Sequence, residues 1–157
     1  MVIDPVDLVE ELSMLTDNGV VYNGSIHIAS NSHIVTPVHK RIDFCSEKNS
    51  GQKIGTTCRG IGPAYVDKVA RSGIRVYHLQ NQEALREKLL TTIAKKNEVI
   101  TKLYQGEPID AEEIIAKCKV WASKLSKFIQ PAEMIVRKSL TSGKKIVLEG
   151  AQGALLD

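Results

Sequence analysis

A regular apolar stripe over residues 114–128 constrains the fold of this chain more than any other feature. Its members, separated by four and three residues in turn, are Ile114, Cys118, Trp121, Leu125 and Phe128. This spacing places all five on one face of a helix, and such a face must pack against a core. Pro131 follows, and because proline lacks an N–H and clashes with the preceding turn, it predicts a break. The stripe therefore predicts a long helix with one buried face, followed by a second helix.

Capping residues and prolines predict further helices along the chain. The predicted helix starts are Asp4–Pro5, Thr36–Pro37, Pro63, Asn81, Asp110 and Met134. The second helix is expected to end near Ser46, and the third at Ser72–Gly73. Apolar residues at helical spacing give the first and fourth helices buried faces of their own: Leu8, Leu12, Leu15, Leu85, Leu89, Ile93, Ile100 and Leu103.

Three segments have the pattern of extended chain. Ser25–Ala29 alternates in polarity and predicts a short strand, and Ile74–Val76 is expected to be extended. Lys145–Glu149 is short and rich in branched apolar residues, which predicts a buried strand. It runs into a glycine turn, Gly150–Gly153, and the chain stops at Asp157 soon afterwards. That arrangement leads us to expect that these residues are part of a longer protein.

Composition excludes several classes of protein. The chain is 43% hydrophobic and 25% charged, which is typical of a soluble globular domain. No apolar run approaches the ~18 residues that a membrane span needs, and the N-terminus carries an acid instead of the basic segment of a signal peptide. We therefore expect a cytoplasmic protein without membrane contact. The net charge of +3 permits an anionic small molecule as partner but does not favour nucleic acid.

The cysteines and histidines do not form a recognisable metal or disulfide pattern. Cys45, Cys58 and Cys118 are widely spaced and include no CxxC pair, so reduced thiols are expected. The four histidines are scattered along the chain. We expect them to be surface or locally bonded residues and not metal ligands.

The segment Gly55–Gly62 contains the residues of an anion-binding loop. Its glycines permit positive φ and close approach of a ligand, while Thr56 and Thr57 supply hydroxyls. Arg59 supplies donors suited to phosphate, and the helix predicted from Pro63 begins with free N–H groups. Neither a Walker A loop nor a GxGxxG fingerprint is present. The segment is therefore either a phosphate-binding loop or a glycine-rich surface loop.

Two other groups have chemistry that suits a nucleotide. Lys68 and Arg71 are three residues apart and would share a face of the predicted helix, either as a solvated basic face or as phosphate contacts. Gln152 follows the predicted strand Lys145–Glu149, and ligands of open α/β sheets bind at the carboxyl ends of strands. Its amide suits the edge of a purine ring. The alternative is an ordinary strand-to-helix turn.

Two separated stretches resemble signatures of the adenylosuccinate synthetase family. The first is Ile54–Tyr65, which continues to Arg71, and the second is Leu148–Asp157. The segment from Val2 through the first helix is similar more loosely, so the resemblance spans essentially the whole chain. It implies a ligase of purine biosynthesis that joins inosine monophosphate to L-aspartate at the expense of GTP, with Mg²⁺, as a homodimer.

The resemblance also implies roles for particular residues. Thr57 corresponds to the residue that binds the 5′-phosphate of inosine monophosphate, and Gln152 to the one that contacts the purine near its 6-oxygen. Arg71 corresponds to an arginine donated across the dimer interface to the partner's nucleotide. The supporting phosphate loop is formed by Thr56, Arg59 and Gly60. Cys58 departs from the family, which has glycine there, and at positive φ its Cβ would cost about 1–2 kcal/mol.

The fold implied by the resemblance is α/β, and the chain is expected to be a helix-rich part of a mostly parallel-sheet, P-loop-like nucleotide-binding fold. Residues 1–157 would be a single partial domain. The family's N-terminal phosphate loop, catalytic histidine segment and C-terminal region have no counterpart in the sequence. We therefore assign no catalytic or metal-binding residue, place the main Mg²⁺ and GTP contacts outside the chain, and expect no synthetase activity from it alone.

Two alternative functions are compatible with the same sequence. The chain could be a non-catalytic module that binds a nucleoside monophosphate, or a non-binding remnant that keeps the helical scaffold. In the partial domain a sheet edge or an apolar face would be uncovered, so we expect self-association.

Overall fold

The computed structural model describes residues 1–22, 24–51 and 55–150, and most of these are helical. The described α-helices are α1 (Pro5–Asp17), α2 (Pro37–Asn49), α3 (Ile61–Val69), α4 (Gln82–Glu98), α5 (Ala111–Leu125) and α6 (Ala132–Thr141). The described strands are β1 (Val2–Ile3), β2 (Ile28–Ala29), β3 (His33–Ile34) and β4 (Ile129–Gln130). Short 3-10 turns lie at Val76–Gln80 and Ser126–Phe128, and a π-helical turn, Val99–Leu103, continues α4.

The predicted capping residues begin the helices as expected. Side-chain oxygens of Asp4, Asn81 and Asp110 accept hydrogen bonds from backbone N–H groups in the first turns of α1, α4 and α5, at 3.0, 3.1 and 2.9 Å. Helix α2 continues past Ser46 to Asn49, and α3 begins at Ile61, before the predicted start at Pro63. Local capping signals therefore located each start to within two residues.

The strands form two short parallel pairs. Strand β1 pairs with β3, with Val2 opposite His33, and β2 pairs with β4, with Ile28 opposite Ile129. Parallel pairing agrees with the predicted α/β class, and β2 lies inside the predicted strand Ser25–Ala29. Strand β4 was not predicted, because two residues between a helix end and a proline carry no periodic signal.

The core forms where α5 packs against α4 and against α1. All five members of the stripe over residues 114–128 are buried, which confirms the predicted apolar face of α5. Helix α4 contributes Leu85, Leu89 and Ile93, and α1 contributes Leu12. In contrast, Leu15 and Leu103 are 37% and 66% exposed, because the helical pattern extends beyond the part that is covered. No helix of the described ranges is both long and apolar enough to cross a membrane.

The predicted buried strand over 145–149 is wrong. These residues belong to no helix or strand, and Val147 and Leu148 are 91% and 89% exposed. A strand requires a hydrogen-bonded neighbour, and none of the described strands lies beside this segment. Apolar sequence alone therefore did not produce a strand here.

Three of the four histidines are more buried than expected, whereas His27 is exposed, as predicted. His39 and His78 bond locally, each accepting the backbone N–H three residues before it at 2.9 and 3.0 Å, but both are buried, as is His33. Burial lowers the pKa of His33 and of His78, and nearby cations, Arg75 foremost for His33, act in the same direction. These rings therefore belong to the packed interior. The three cysteines are free thiols, and burial raises the pKa of Cys118 to about 12.

Candidate functional site

The glycine-rich loop before α3 adopts the backbone conformations that its sequence predicts. Positive φ angles occur at Gly55, Cys58 and Gly60, with values of 76°, 53° and 76°. Cys58 thus occupies the left-handed region, where a Cβ is disfavoured. The loop ends at Gly60, which caps the N-terminus of α3.

Gly60 fixes the loop against α2. A Cβ built on it would lie 2.6 Å from the backbone N of Lys40 and 2.7 Å from the carbonyl carbon of His39, so no other residue fits without displacing α2. The Gly60 N–H also donates to Oδ2 of Asp43 at 2.8 Å. The loop is therefore held against the backbone and a side chain of α2.

Two carboxylates of α2 accept hydrogen bonds from the loop. Asp43 accepts hydrogen bonds from both ends of the loop. Its Oδ1 accepts from the Thr56 hydroxyl at 3.2 Å, and its Oδ2 accepts from the Gly60 N–H. Oε1 of Glu47 accepts from the Gly55 N–H at 2.7 Å. These donors match the chemistry predicted for phosphate, but in this chain they bind anionic oxygens of α2.

The other predicted residues lie in different places. Thr57 is exposed, and Arg59 is exposed with an ion-pair distance of 4.0 Å to Asp7. Arg71 lies beyond the opposite end of α3, which at nine residues is about 13 Å long. Gln152 lies outside the described residues. The structure thus brings Thr56 and Gly60 together through Asp43, but it does not bring Arg71 to the loop of its own chain.

Lys68 and Arg71 do not share a helix face as predicted. Helix α3 ends at Val69, and Arg71 has a left-handed φ of 58°. Its N–H donates to the carbonyl of Lys68 at 3.2 Å, in a turn that closes the helix. The basic spacing suggested a continuing helix, but the turn redirects the chain before Arg71.

Asp67 forms a buried polar network that the sequence did not reveal. Its side chain accepts from Nε2 of His39 at 3.0 Å, from the Ser72 hydroxyl at 3.2 Å and from Nζ of Lys96. Burial by itself would raise the pKa of Asp67, but the hydrogen bonds from His39 and Lys96 outweigh it and hold the pKa below its ordinary value. Charged residues on helices are usually solvated, so nothing in the spacing pointed to this cluster.

A helix-rich α/β chain with a glycine loop capping a helix is the kind of scaffold that binds nucleotide phosphates. The comparisons identify the family. The family model for adenylosuccinate synthetase matches residues 1–157, so the chain belongs to the adenylosuccinate synthetase family.

Individual relatives agree with this assignment. The chain is 44% identical to adenylosuccinate synthetase of Chlorobium phaeovibrioides and 41% identical to that of Lactococcus lactis subsp. cremoris, with all of this chain and 36% of each relative aligned. A solved structure of fully ligated adenylosuccinate synthetase from Plasmodium falciparum superposes with a TM-score of 0.79 at 30% identity, covering 95% of this chain and 35% of that one. The chain therefore spans about a third of the length of the relatives that it matches.

Proposed function

We propose that this chain supplies part of the inosine monophosphate site of an adenylosuccinate synthetase. Such an enzyme is a cytoplasmic ligase of AMP biosynthesis that joins inosine monophosphate to L-aspartate and consumes GTP. The 157 residues act as one partial domain of it. Thr57 binds the 5′-phosphate with support from Thr56, Arg59 and Gly60, Gln152 contacts the purine, and Arg71 reaches the nucleotide of a second copy. Membership in the family supports these roles.

The observation that carries this proposal is the separation of the loop from Arg71. Helix α3, about 13 Å long, separates the loop from the Arg71 backbone in one chain, which favours delivery of Arg71 to the nucleotide of a second copy. Two copies related by a twofold axis exchange their Arg71 residues and complete two sites. Helix α3 also exposes Val66 and Val69, at 63% and 81%, an apolar surface suited to contact with a second chain.

The described residues do not fit the Mg²⁺ that the family reaction requires. No group of three His, Cys, Asp or Glu side chains within residues 1–22, 24–51 and 55–150 is placed to hold a metal ion. Asp43 and Glu47, the acids nearest the loop, accept its hydrogen bonds. We therefore derive no step through the metal, and we assign the main Mg²⁺ and GTP contacts to no residue of this chain.

Isothermal titration with inosine monophosphate tests the proposal. We expect the purified chain to bind inosine monophosphate more tightly than inosine, because the loop recognises the phosphate. Arg71→Ala should weaken binding. Arg137→Ala is the matched control, since it removes an exposed arginine from α6 and should leave the affinity unchanged. Equal affinities for nucleotide and nucleoside, or an unaffected Arg71→Ala chain, would contradict the proposal.

A mixing experiment tests whether Arg71 acts across the interface. Thr57→Ala and Arg71→Ala chains should each bind poorly, whereas a mixed dimer contains one site with both residues. Random mixing should restore about a quarter of the sites. If Arg71 served its own chain, mixing would restore none.

The hydrogen bonds of Asp43 and Glu47 favour a second candidate, a non-binding scaffold. In that case the loop donors serve only to hold α3 on α2. Absence of any inosine monophosphate binding, with unfolding still cooperative, would support this alternative.

A further inference from the structure

Arg71 occupies a position where glycine is the usual residue. Ala70 is the C-cap of α3, the Arg71 N–H donates to the carbonyl of Lys68 at 3.2 Å, and the Ser72 N–H donates to the carbonyl of Asp67 at 3.0 Å. This pair of hydrogen bonds defines a Schellman turn, whose left-handed residue is most often glycine. Here that residue is Arg71, with φ of 58°. A non-glycine residue kept in this disfavoured backbone conformation requires surrounding contacts that hold it there.

Asp67 supplies those contacts on the chain that follows Arg71. Its backbone carbonyl accepts the N–H groups of both Ser72 and Gly73 at 3.0 Å. Its Oδ1 also accepts the Ser72 hydroxyl at 3.2 Å. Asp67 thus accepts hydrogen bonds from both residues after Arg71, and these bonds fix the direction in which the chain leaves α3.

Asp67 is itself anchored to two other helices. The Thr36 N–H donates to Nδ1 of His39 at 2.9 Å, so Nδ1 carries no proton and the Nε2–H donates to Oδ2 of Asp67 at 3.0 Å. Lys96 of α4 donates to Oδ1 of Asp67. With 3% of its side chain exposed, Asp67 has little freedom to move. The turn that contains Arg71 is therefore tied to α2 and α4 through one carboxylate.

Stability alone is a weak explanation for such a buried ionic group. Replacing a buried ion pair by apolar residues is often neutral or stabilising, because desolvation of the charges offsets their attraction. The Asp67 network does fix the geometry of the turn, since it holds the exposed Arg71 in a backbone conformation that arginine does not prefer. The Arg71 guanidinium makes no ion pair with any described side chain, so it is available to an external anion.

We infer that Asp67 is a positioning residue for Arg71: through Ser72, and anchored by His39 and Lys96, it presets the guanidinium for the phosphate of a nucleotide bound by a second copy of this chain. This inference rests on the proposed function of Arg71. Asp67 touches no substrate in it, and its effect on binding passes entirely through Arg71.

A double-mutant cycle on inosine monophosphate affinity tests the inference. Asp67→Asn keeps the shape of the side chain but removes its charge, and we expect it to weaken binding between about threefold and a hundredfold. In the Arg71→Ala chain the same change should have no effect, because no guanidinium remains to be positioned. A loss by the same factor in both chains would show a purely structural role and overturn the inference. Asp110→Asn is the control, since asparagine caps a helix as well as aspartate does.

A ligand-free measurement separates this inference from the proposed function. If the unchanged chain does not bind inosine monophosphate, or if Arg71→Ala binds normally, the proposed function fails, but Arg71→Gly still reports on the turn. Glycine accepts a φ of 58°, so Arg71→Gly should raise the melting temperature. The rise should shrink in Asp67→Asn, because loss of the carboxylate charge weakens the anchoring of the turn by His39 and Lys96. If Asp67→Asn fails to fold, Ser72→Ala replaces it as the background, because it removes only the hydroxyl contact. In Ser72→Ala the rise in melting temperature caused by Arg71→Gly should also shrink, but by less. An equal rise in all three backgrounds would overturn the positioning role.

Discussion

Gly60→Ala is predicted to destabilise the chain strongly, because the loop and α2 leave no space for a side chain. The φ of 76° places residue 60 in the left-handed region, where a Cβ costs about 1–2 kcal/mol. The new Cβ would also lie 2.6 and 2.7 Å from backbone atoms of Lys40 and His39. Those atoms are in the first turn of α2, so relief requires movement of the helix.

The two costs add because they have separate origins. Forcing an extra methyl group into a packed site costs about 1–3 kcal/mol, so the total is roughly 2–5 kcal/mol. Small domains are stable by only about 5–15 kcal/mol. Gly60→Ala should therefore remove a large share of the free energy of unfolding, and each kcal/mol lost should lower the melting temperature by roughly 2–4 °C in a chain of this size.

Urea unfolding of three alanine variants separates the two costs. Gly55 has the same φ of 76° but no atom within 4 Å of a built Cβ, so Gly55→Ala should lose only the conformational part, about 1–2 kcal/mol. Gly62 lies in α3 with open space around it, and Gly62→Ala should stabilise the chain by up to about 1 kcal/mol. If Gly60→Ala cost no more than Gly55→Ala, the close approach of the loop to α2 would be refuted.

Two further predictions concern Cys58 and the buried titratable side chains. Cys58→Gly should stabilise the loop, since Cys58 has φ of 53°, and should tighten inosine monophosphate binding; unchanged titration calorimetry would count against it. Acid should destabilise the chain in two steps, measured by urea unfolding across pH. The pKa values of His33 and His78 lie below the ordinary 6.5, so the unfolded chain takes up protons first and the free energy of unfolding should fall as the pH drops below 6.5. Asp67 adds a further fall as the pH drops below 3.8, the ordinary value of its pKa, beside the contribution of the exposed, paired carboxylates Glu112 and Glu113. This fall should be reduced in Asp67→Asn, whereas Asp110→Asn should keep it in full.

Local signals predicted most of the helical scaffold. Asp4, Asn81 and Asp110 began helices because a capping side chain satisfies backbone groups only two or three residues away. The stripe over residues 114–128 predicted a buried face because its period is that of the helix itself. These features depend on neighbours in sequence, so the amino-acid pattern was sufficient for them.

Features that depend on distant partners were not predictable in the same way. The segment over 145–149 has the composition of a strand but no strand beside it among the described residues, and β4 exists only because β2 lies next to it. The bonds of Asp67 to His39 and Lys96 join residues 28 and 29 positions apart. Sequence reasoning identified the glycine loop as a candidate site, but not that Asp43 and Glu47 would accept its hydrogen bonds.

The carboxylates of Asp43 and Glu47 determine how much of the phosphate affinity of the proposed site must come from Arg71. A phosphate that uses the N–H groups of Gly55 and Gly60 must replace Asp43 and Glu47 as acceptor, and a hydrogen bond to a charged group contributes about 1.5–3 kcal/mol. Exchanging a carboxylate for a phosphate as acceptor contributes little free energy of binding, and the displaced carboxylates remain close enough to repel the phosphate. Net affinity must then come from cations. In the proposed site these cations are Arg59, which is exposed and 4.0 Å from Asp7, and the guanidinium that Arg71 of a second copy would supply. Removing Arg71 should for this reason weaken binding more than removing the Thr56 hydroxyl, although the hydroxyl lies within the loop itself.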